Sequence, residues 1–188
     1  MMTTTRRRIL FLTSLLPLLS RFGRSQNSTT KSETASVLEK HMSWMEEQFV
    51  PAAEAMPEDE FFWAPKNGEF QGVRNFAEQI VHVAEVNFAL SAAILGEQPP
   101  TGAVPNSETA KTRCAVLQYL KASFAHTHKA LSSITEQNAK LPIKHPILDM
   151  VTTRMGLGIV AIAHPFNHYG QMVEYLRMNT IVPPASRQ

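Results

Sequence analysis

An antiparallel four-helix bundle of the all-α class is the fold that this 188-residue sequence predicts. Four segments repeat apolar residues every three or four positions, which is the period of an amphipathic α-helix. Capping residues and glycine or proline stop signals bound these segments, and no stretch carries a strand pattern or an internal repeat. Four such helices joined by connections of mostly moderate length favour a bundle.

The first predicted helix begins near residues 32–36. Two Ser/Thr–Glu pairs with capping-box spacing lie there, namely Thr30–Glu33 and Ser36–Glu39. Pro51 is expected to kink or end this helix, because proline lacks the N–H that the helix requires and crowds the preceding turn. The helical stripe consists of Leu38, His41, Met42, Met45, Phe49 and Ala53.

An aromatic loop over residues 56–72 separates the first two helices. It contains three consecutive aromatic residues at positions 61–63, and we expect it to fold back over the bundle. The second helix begins at Asn75, with Glu78 completing a capping box, and ends at Gly96. Because this helix is apolar around most of its circumference, it is expected to be buried.

The third helix is predicted to begin after Pro105, with Asn106 or Ser107 as its N-cap. Cys114 falls on its apolar stripe, which indicates an inert core thiol rather than a nucleophile. Residues 141–152 are ambiguous because two prolines interrupt them. The fourth helix is predicted from about Thr153 to Asn179.

The N-terminus has the layout of a signal peptide. Arg6, Arg7 and Arg8 precede a short apolar run (residues 9–19), and small residues follow, so that cleavage is expected before Gln26. We therefore predict a signal peptide (1–25), a linker (26–32), the bundle domain (33–184) and a tail (185–188), exported by the general or the twin-arginine route. Without the signal peptide the chain has 13 basic and 16 acidic residues, and no basic patch for nucleic acid or stable membrane anchor is expected.

Three histidines are the candidate metal ligands. His164 and His168 are four residues apart, so both imidazoles leave one face of the fourth helix a turn apart. A third ligand must come from another helix, and His82 in the middle of the second helix is the best candidate. Three imidazoles suit a divalent ion such as zinc and leave one coordination position open.

Other sequence patterns exclude several known types of metal and haem site. Pro165 follows His164 where a zincin-type protease needs glutamate, and no Glu-x-x-His or Cys-x-x-Cys-His motif occurs. Pro165 is expected to bend the helix between the two histidine turns. His126 and His128 should point apart, and His145 should lie in a loop. His41 could line the same cavity, and Glu78 or Glu85 could act as a base or orient a ligand.

Two sequence blocks resemble the DinB-like family. Arg74 to Glu85 is similar to its second helix, and His164 to Gln171 with the later Tyr175-Leu176-Arg177 and Val182-Pro183-Pro184 is similar to its last helix and tail. The resemblance covers roughly residues 33–184. It implies a four-helix bundle in which His82, His164 and His168 bind a divalent metal, usually zinc or nickel. Many relatives have an acidic residue where this chain has Asn167, so any assistance from that carboxylate is lost here.

Three functions follow as hypotheses. The first is a metal-dependent enzyme that acts on a small molecule, either as a hydrolase or as a transferase that activates a low-molecular-weight thiol, as the resemblance implies. Export favours the hydrolase, because such thiols are kept mainly in the cytosol. The second is a non-catalytic metal or haem carrier of the cell envelope, and the third is a structural bundle whose histidines only pack. A homodimer is expected from the exposed faces of such bundles, and no catalytic residue is assigned.

Overall fold

Four α-helices dominate the computed structural model, which describes residues 32–100 and 108–187. They are α1 (Glu33–Ala55), α2 (Phe76–Leu95), α3 (Arg113–Ser132) and α4 (Arg154–Met178). A hairpin of two three-residue strands, β1 (Pro142–Lys144) and β2 (Val151–Thr153), precedes α4, and a 3₁₀ turn (Pro184–Ser186) follows it. The predicted all-α, four-helix class is confirmed.

The helix termini follow the sequence signals closely in α2 and α4. Asn75 and Glu78 form the predicted capping box of α2, and Gly96 ends that helix in the left-handed conformation at φ 72°. Thr153 and Asn179 are the caps of α4. The predicted signal peptide, and the predicted caps Asn106 and Ser107, lie outside the described residues.

One helix boundary differs from the sequence prediction, and the prediction left another open between two outcomes. α3 begins at Arg113 with Thr112 as its N-cap, several residues later than expected. Of the two outcomes expected at Pro51, a kink or an end, the end does not occur, and α1 continues to Ala55, directly before the predicted loop. Its last turn is retained because Ala52, Ala53 and Met56 are fully buried in the core, and their packing offsets the one backbone hydrogen bond that proline removes.

The order of the helices around the bundle places α1 diagonally opposite α2. α1 and α2 each pack against both α3 and α4. The α1/α3 interface is antiparallel, because Glu39 pairs with His128 and the later Phe49 with the earlier Phe124. The α2/α4 interface is antiparallel as well, and its pairs are Gln79–Gln171 and His82–His164. The α2/α3 interface is parallel, because Asn87 pairs with Ser123 and Ser91 pairs with Thr127 in the same direction, so the predicted antiparallel order is wrong at this interface. The connection over residues 96–112 allows this arrangement, because it is long enough to span the ~30 Å length of a 20-residue helix.

The aromatic loop folds back on the bundle as predicted. Phe61 is fully buried, and its ring contacts Phe76 edge-on at a centroid distance of 5.8 Å. The first turn of α2 is tied to the loop, since the N–H groups of Phe76 and Ala77 donate to the carbonyls of Trp63 and Phe61. The loop therefore fixes the N-terminal end of α2.

Two predictions about local structure were wrong. Residues 142–144 and 151–153 pair as strands, with Ile143 opposite Thr152, where no strand was expected. The intervening turn is held by the buried His145, whose Nδ1 accepts the N–H groups of Ile147 and Leu148 at 3.2 and 3.0 Å. Cys114 is exposed rather than a core thiol, because it lies in the first turn of α3 beyond the packed part of its stripe.

His128 links α3 to α1 through two carboxylates. Its Nε2 lies 2.9 Å from Glu46 Oε2, and its Nδ1 lies 3.3 Å from Glu39 Oε2. The hydrogen bond to Glu46 raises the pKa of His128 above the ordinary value, against the opposing effect of burial, and Glu39 raises it further. A protonated His128 can donate from both ring nitrogens, and this stabilises the α1/α3 contact.

We expect the contribution of His128 to stability to fall as pH rises. A pKa that is higher in the folded than in the unfolded state stabilises fully below the unfolded value of about 6.5 and is lost as pH rises through the folded value. The free energy of unfolding should therefore differ most between the wild type and His128→Gln near pH 6, and the difference should shrink by pH 8. Denaturant titrations of both proteins at each pH measure this difference. The contributions of all other titrating groups are the same in the two proteins and therefore drop out of it. A difference that stays constant over this range would contradict the prediction.

Candidate metal centre

The α2/α4 interface brings three histidines together in the middle of the bundle. His82 comes from α2, and His164 and His168 come from consecutive turns of α4. One ring nitrogen of each histidine lies within 4.8 Å of the others. The ring centroids are 4.6–5.1 Å apart. The structure thus assembles the same three residues that spacing singled out, and α4 remains one helix with Pro165 buried inside it.

One contact between two of the ring nitrogens fits the spacing of ligands on a tetrahedral ion. His164 Nε2 lies 3.2 Å from His82 Nε2. Two nitrogen ligands of a tetrahedral zinc ion, each bound at 2.0–2.1 Å, are separated by about 3.3 Å. His168 is 6% exposed, and the other two histidines are half-buried, so the cluster is partly shielded from solvent.

The protonation state of the cluster also suits a cation. Burial, followed by the proximity of His168, His82 and Arg74, lowers the pKa of His164 to about 4. Burial, His82 and Arg74 lower the pKa of His168 to about 4. Burial and Arg74 also lower the pKa of His82, with Glu85 opposing them. All three rings are therefore neutral near pH 7, which is the form that binds metal.

A pair of amides, the buried Gln79 and the half-buried Gln171, lies beside the cluster. His168 Nδ1 is 2.7 Å from Gln79 Oε1, and Gln79 Nε2 donates to Gln171 Oε1 at 3.0 Å. Gln79 is only 3% exposed. Gln79 was not among the predicted site residues, although it lies three residues before His82 and therefore on the same face of α2. By contrast, Nδ1 of His164 is buried without a hydrogen-bond partner among the described residues.

Three polar residues that the sequence suggested near the site, Glu78, Glu85 and Asn167, lie outside the histidine cluster. The Glu78 carboxylate accepts the N–H of Asn75 at 2.8 Å, which commits it to the helix cap rather than to acid–base chemistry. Glu85 is exposed one turn beyond His82, and Asn167 is exposed on α4. None of the three belongs to the group of close ligand atoms.

The other histidines do not join the site. His41 is exposed on α1, its Nδ1 donates to Val37 O at 2.8 Å, and it lines a separate apolar cavity of about 550 Å³ between α1 and α4. The expectation that it lines the histidine cavity was therefore wrong. His126 packs on Phe88 of α2, whereas His128 faces α1, so these two point apart as predicted.

Fold and site together define a helical-bundle protein with three histidines that can hold a metal ion. Its sequence matches the family profile of the DinB superfamily over residues 41–172, and the chain belongs to this family. A comparison with curated proteins found no match. No described helix combines the length and the apolar character that crossing a membrane requires.

Proposed function

We propose that this protein is a divalent-metal-dependent enzyme that acts on a small molecule at His82, His164 and His168. The observation that carries the proposal is the convergence of three neutral imidazoles, two of them with Nε2 atoms 3.2 Å apart. Packing alone accounts for one N–H···N hydrogen bond between the two Nε2 atoms, whereas a divalent cation would use a lone pair from each of the three rings. Zinc and nickel are the proposed ions.

A bound divalent ion would supply Lewis acidity and one open position for water, a carbonyl group or a thiol sulfur. The chain's own part is to hold three nitrogens toward that position and to limit access of solvent, which the burial of His168 supports. Arg74, whose positive charge acts on all three histidines, lies near enough to attract an anionic group of a substrate.

Hydrolase-type chemistry is preferred to thiol transfer, because the proposed export of the chain would remove it from the cytosol. The rival carrier function with haem has less support. A porphyrin plane must pass between two axial ligands, whereas the three rings here lie 4.6–5.1 Å apart between centroids.

Metal analysis coupled to activity tests the proposal. We expect purified protein to contain about one divalent ion per chain, and we expect the chelated protein to regain that ratio with Zn²⁺ or Ni²⁺. Ester, amide and thiol-transfer substrates are then assayed in the metal-free and reloaded forms, and turnover should appear only in the reloaded form. One ion per chain without any turnover would favour the carrier, and absence of binding would refute the proposal. A Soret band in the absorption spectrum would establish haem instead.

A further inference from the structure

We infer that Gln79 is a positioning residue that selects the ring form of His168 in which Nε2 is free to bind metal. The inference rests on the proposed function and concerns the amide pair formed by Gln79 and Gln171. It assigns this pair the role of determining which ring nitrogen of His168 carries the proton.

The hydrogen bonds give the direction of this control. A neutral imidazole has one N–H and one lone pair, and only the nitrogen with the lone pair binds a metal. Gln79 Oε1 lies 2.7 Å from His168 Nδ1, and a carbonyl oxygen can only accept a hydrogen bond. The proton of His168 is therefore held on Nδ1, and the Nε2 lone pair is directed away from Gln79.

The orientation of the Gln79 amide is itself fixed by Gln171. The Gln79 Nε2 group donates to Gln171 Oε1 at 3.0 Å, so its oxygen faces His168. If the amide turned over, Gln79 would donate to His168 Nδ1, and the proton would move to Nε2, where it would block the site. Since Gln79 is 3% and His168 6% exposed, water cannot readily replace the contact between them.

The amide pair is uncharged, unlike the usual partner of a metal-binding histidine. Many metal-binding histidines donate to a carboxylate, which raises the basicity of the ligand. Here the acceptor is a neutral amide. The amide pair therefore orients His168 without reducing the positive charge of a bound cation.

Two substitutions at Gln79 separate positioning from packing. Gln79→Met keeps the volume but removes the acceptor, and Zn²⁺ affinity, measured by chelator competition, should fall about 10–100-fold. Gln79→Glu can only accept at this position, so affinity should be equal to or higher than that of the wild type. Gln171→Met leaves the contact with His168 but frees the Gln79 amide to turn over, and its loss should be smaller. Thermal melts identify any variant that fails to fold.

Nitrogen-15 NMR of the metal-free proteins provides the decisive readout. The His168 ring should be in the Nδ1–H form in the wild type and Gln79→Glu, and it should be a mixture or the Nε2–H form in Gln79→Met. An unchanged ring form in Gln79→Met, or equal affinity losses in Gln79→Met and Gln79→Glu, would overturn the inference. Because the ring form is measured without metal, it decides the inference even if the wild type binds no zinc and the proposed function fails.

Discussion

His168→Ala is expected to abolish stoichiometric metal binding. The substitution removes the most buried of the three imidazoles and leaves His82 and His164 as a pair. Loss of a ligand should reduce affinity by more than the ~10–100-fold typical of losing a group that orients one. Elemental analysis of the purified variant and chelator competition with Zn²⁺ measure the effect.

His41→Ala is the matched control for this experiment. His41 is also helical, but it is exposed on α1 and outside the cluster. We expect this variant to keep the wild-type ion content and affinity. Equal metal content in His168→Ala and the wild type would exclude the site, and a loss in both variants would indicate an unspecific effect.

The same ion should stabilise the fold, because it joins α2 to α4. A ligand that binds only the native state at 100 times its Kd adds about 2.7 kcal/mol to the free energy of unfolding. Chelation should therefore lower the Tm of the wild type and leave that of His168→Ala unchanged. An unchanged wild-type Tm after confirmed metal loss would contradict this coupling.

Phe61→Ala should destabilise the protein by about 3–5 kcal/mol, because a fully buried phenylalanine leaves a cavity. Phe61 packs against Phe76 at the start of α2 and lies under the guanidinium of Arg113, 5.6 Å from the ring centroid. Its loss should loosen the connection between the aromatic loop, α2 and α3. Denaturant unfolding measures the change.

The neighbouring Phe62 is a control of the same residue type in the same loop. It is 49% exposed, and its ring meets that of Phe61 edge-on at 5.7 Å, so Phe62→Ala should cost about 1 kcal/mol, well below the cost of Phe61→Ala. Similar losses of unfolding free energy in the two variants would show that burial of the Phe61 ring is not what stabilises the loop.

Most helix boundaries could be read from local signals, because capping depends on residues close together in the chain. The Asn75–Glu78 box and the glycine at position 96 are of this kind. Local signals were insufficient where contacts between distant segments decide the structure. Core contacts carry α1 past Pro51, where the sequence allowed either a kink or an end, and the hairpin depends on pairing between segments that each show no strand pattern.

The part of the candidate site that depends on local spacing was also predictable from the sequence. A spacing of four on one helix places His164 and His168 on one face, whatever their surroundings. The position of His82 opposite them required the antiparallel α2/α4 contact, and the sequence offered it only as the best candidate. Glu78 had suitable chemistry and spacing, but its carboxylate is occupied by the helix cap.

By itself, then, the sequence determined the class of fold, the four helical segments and the three histidines, because periodicity, capping and ligand spacing are local properties of the chain. Only the tertiary structure decided that α2 runs parallel to α3 and antiparallel to α4, that His41 is excluded from the cluster, and that Gln79 contacts His168. These features depend on the packing of segments some 90 residues apart, such as Gln79 and His168, and no local pattern encodes which side chain such packing brings opposite another.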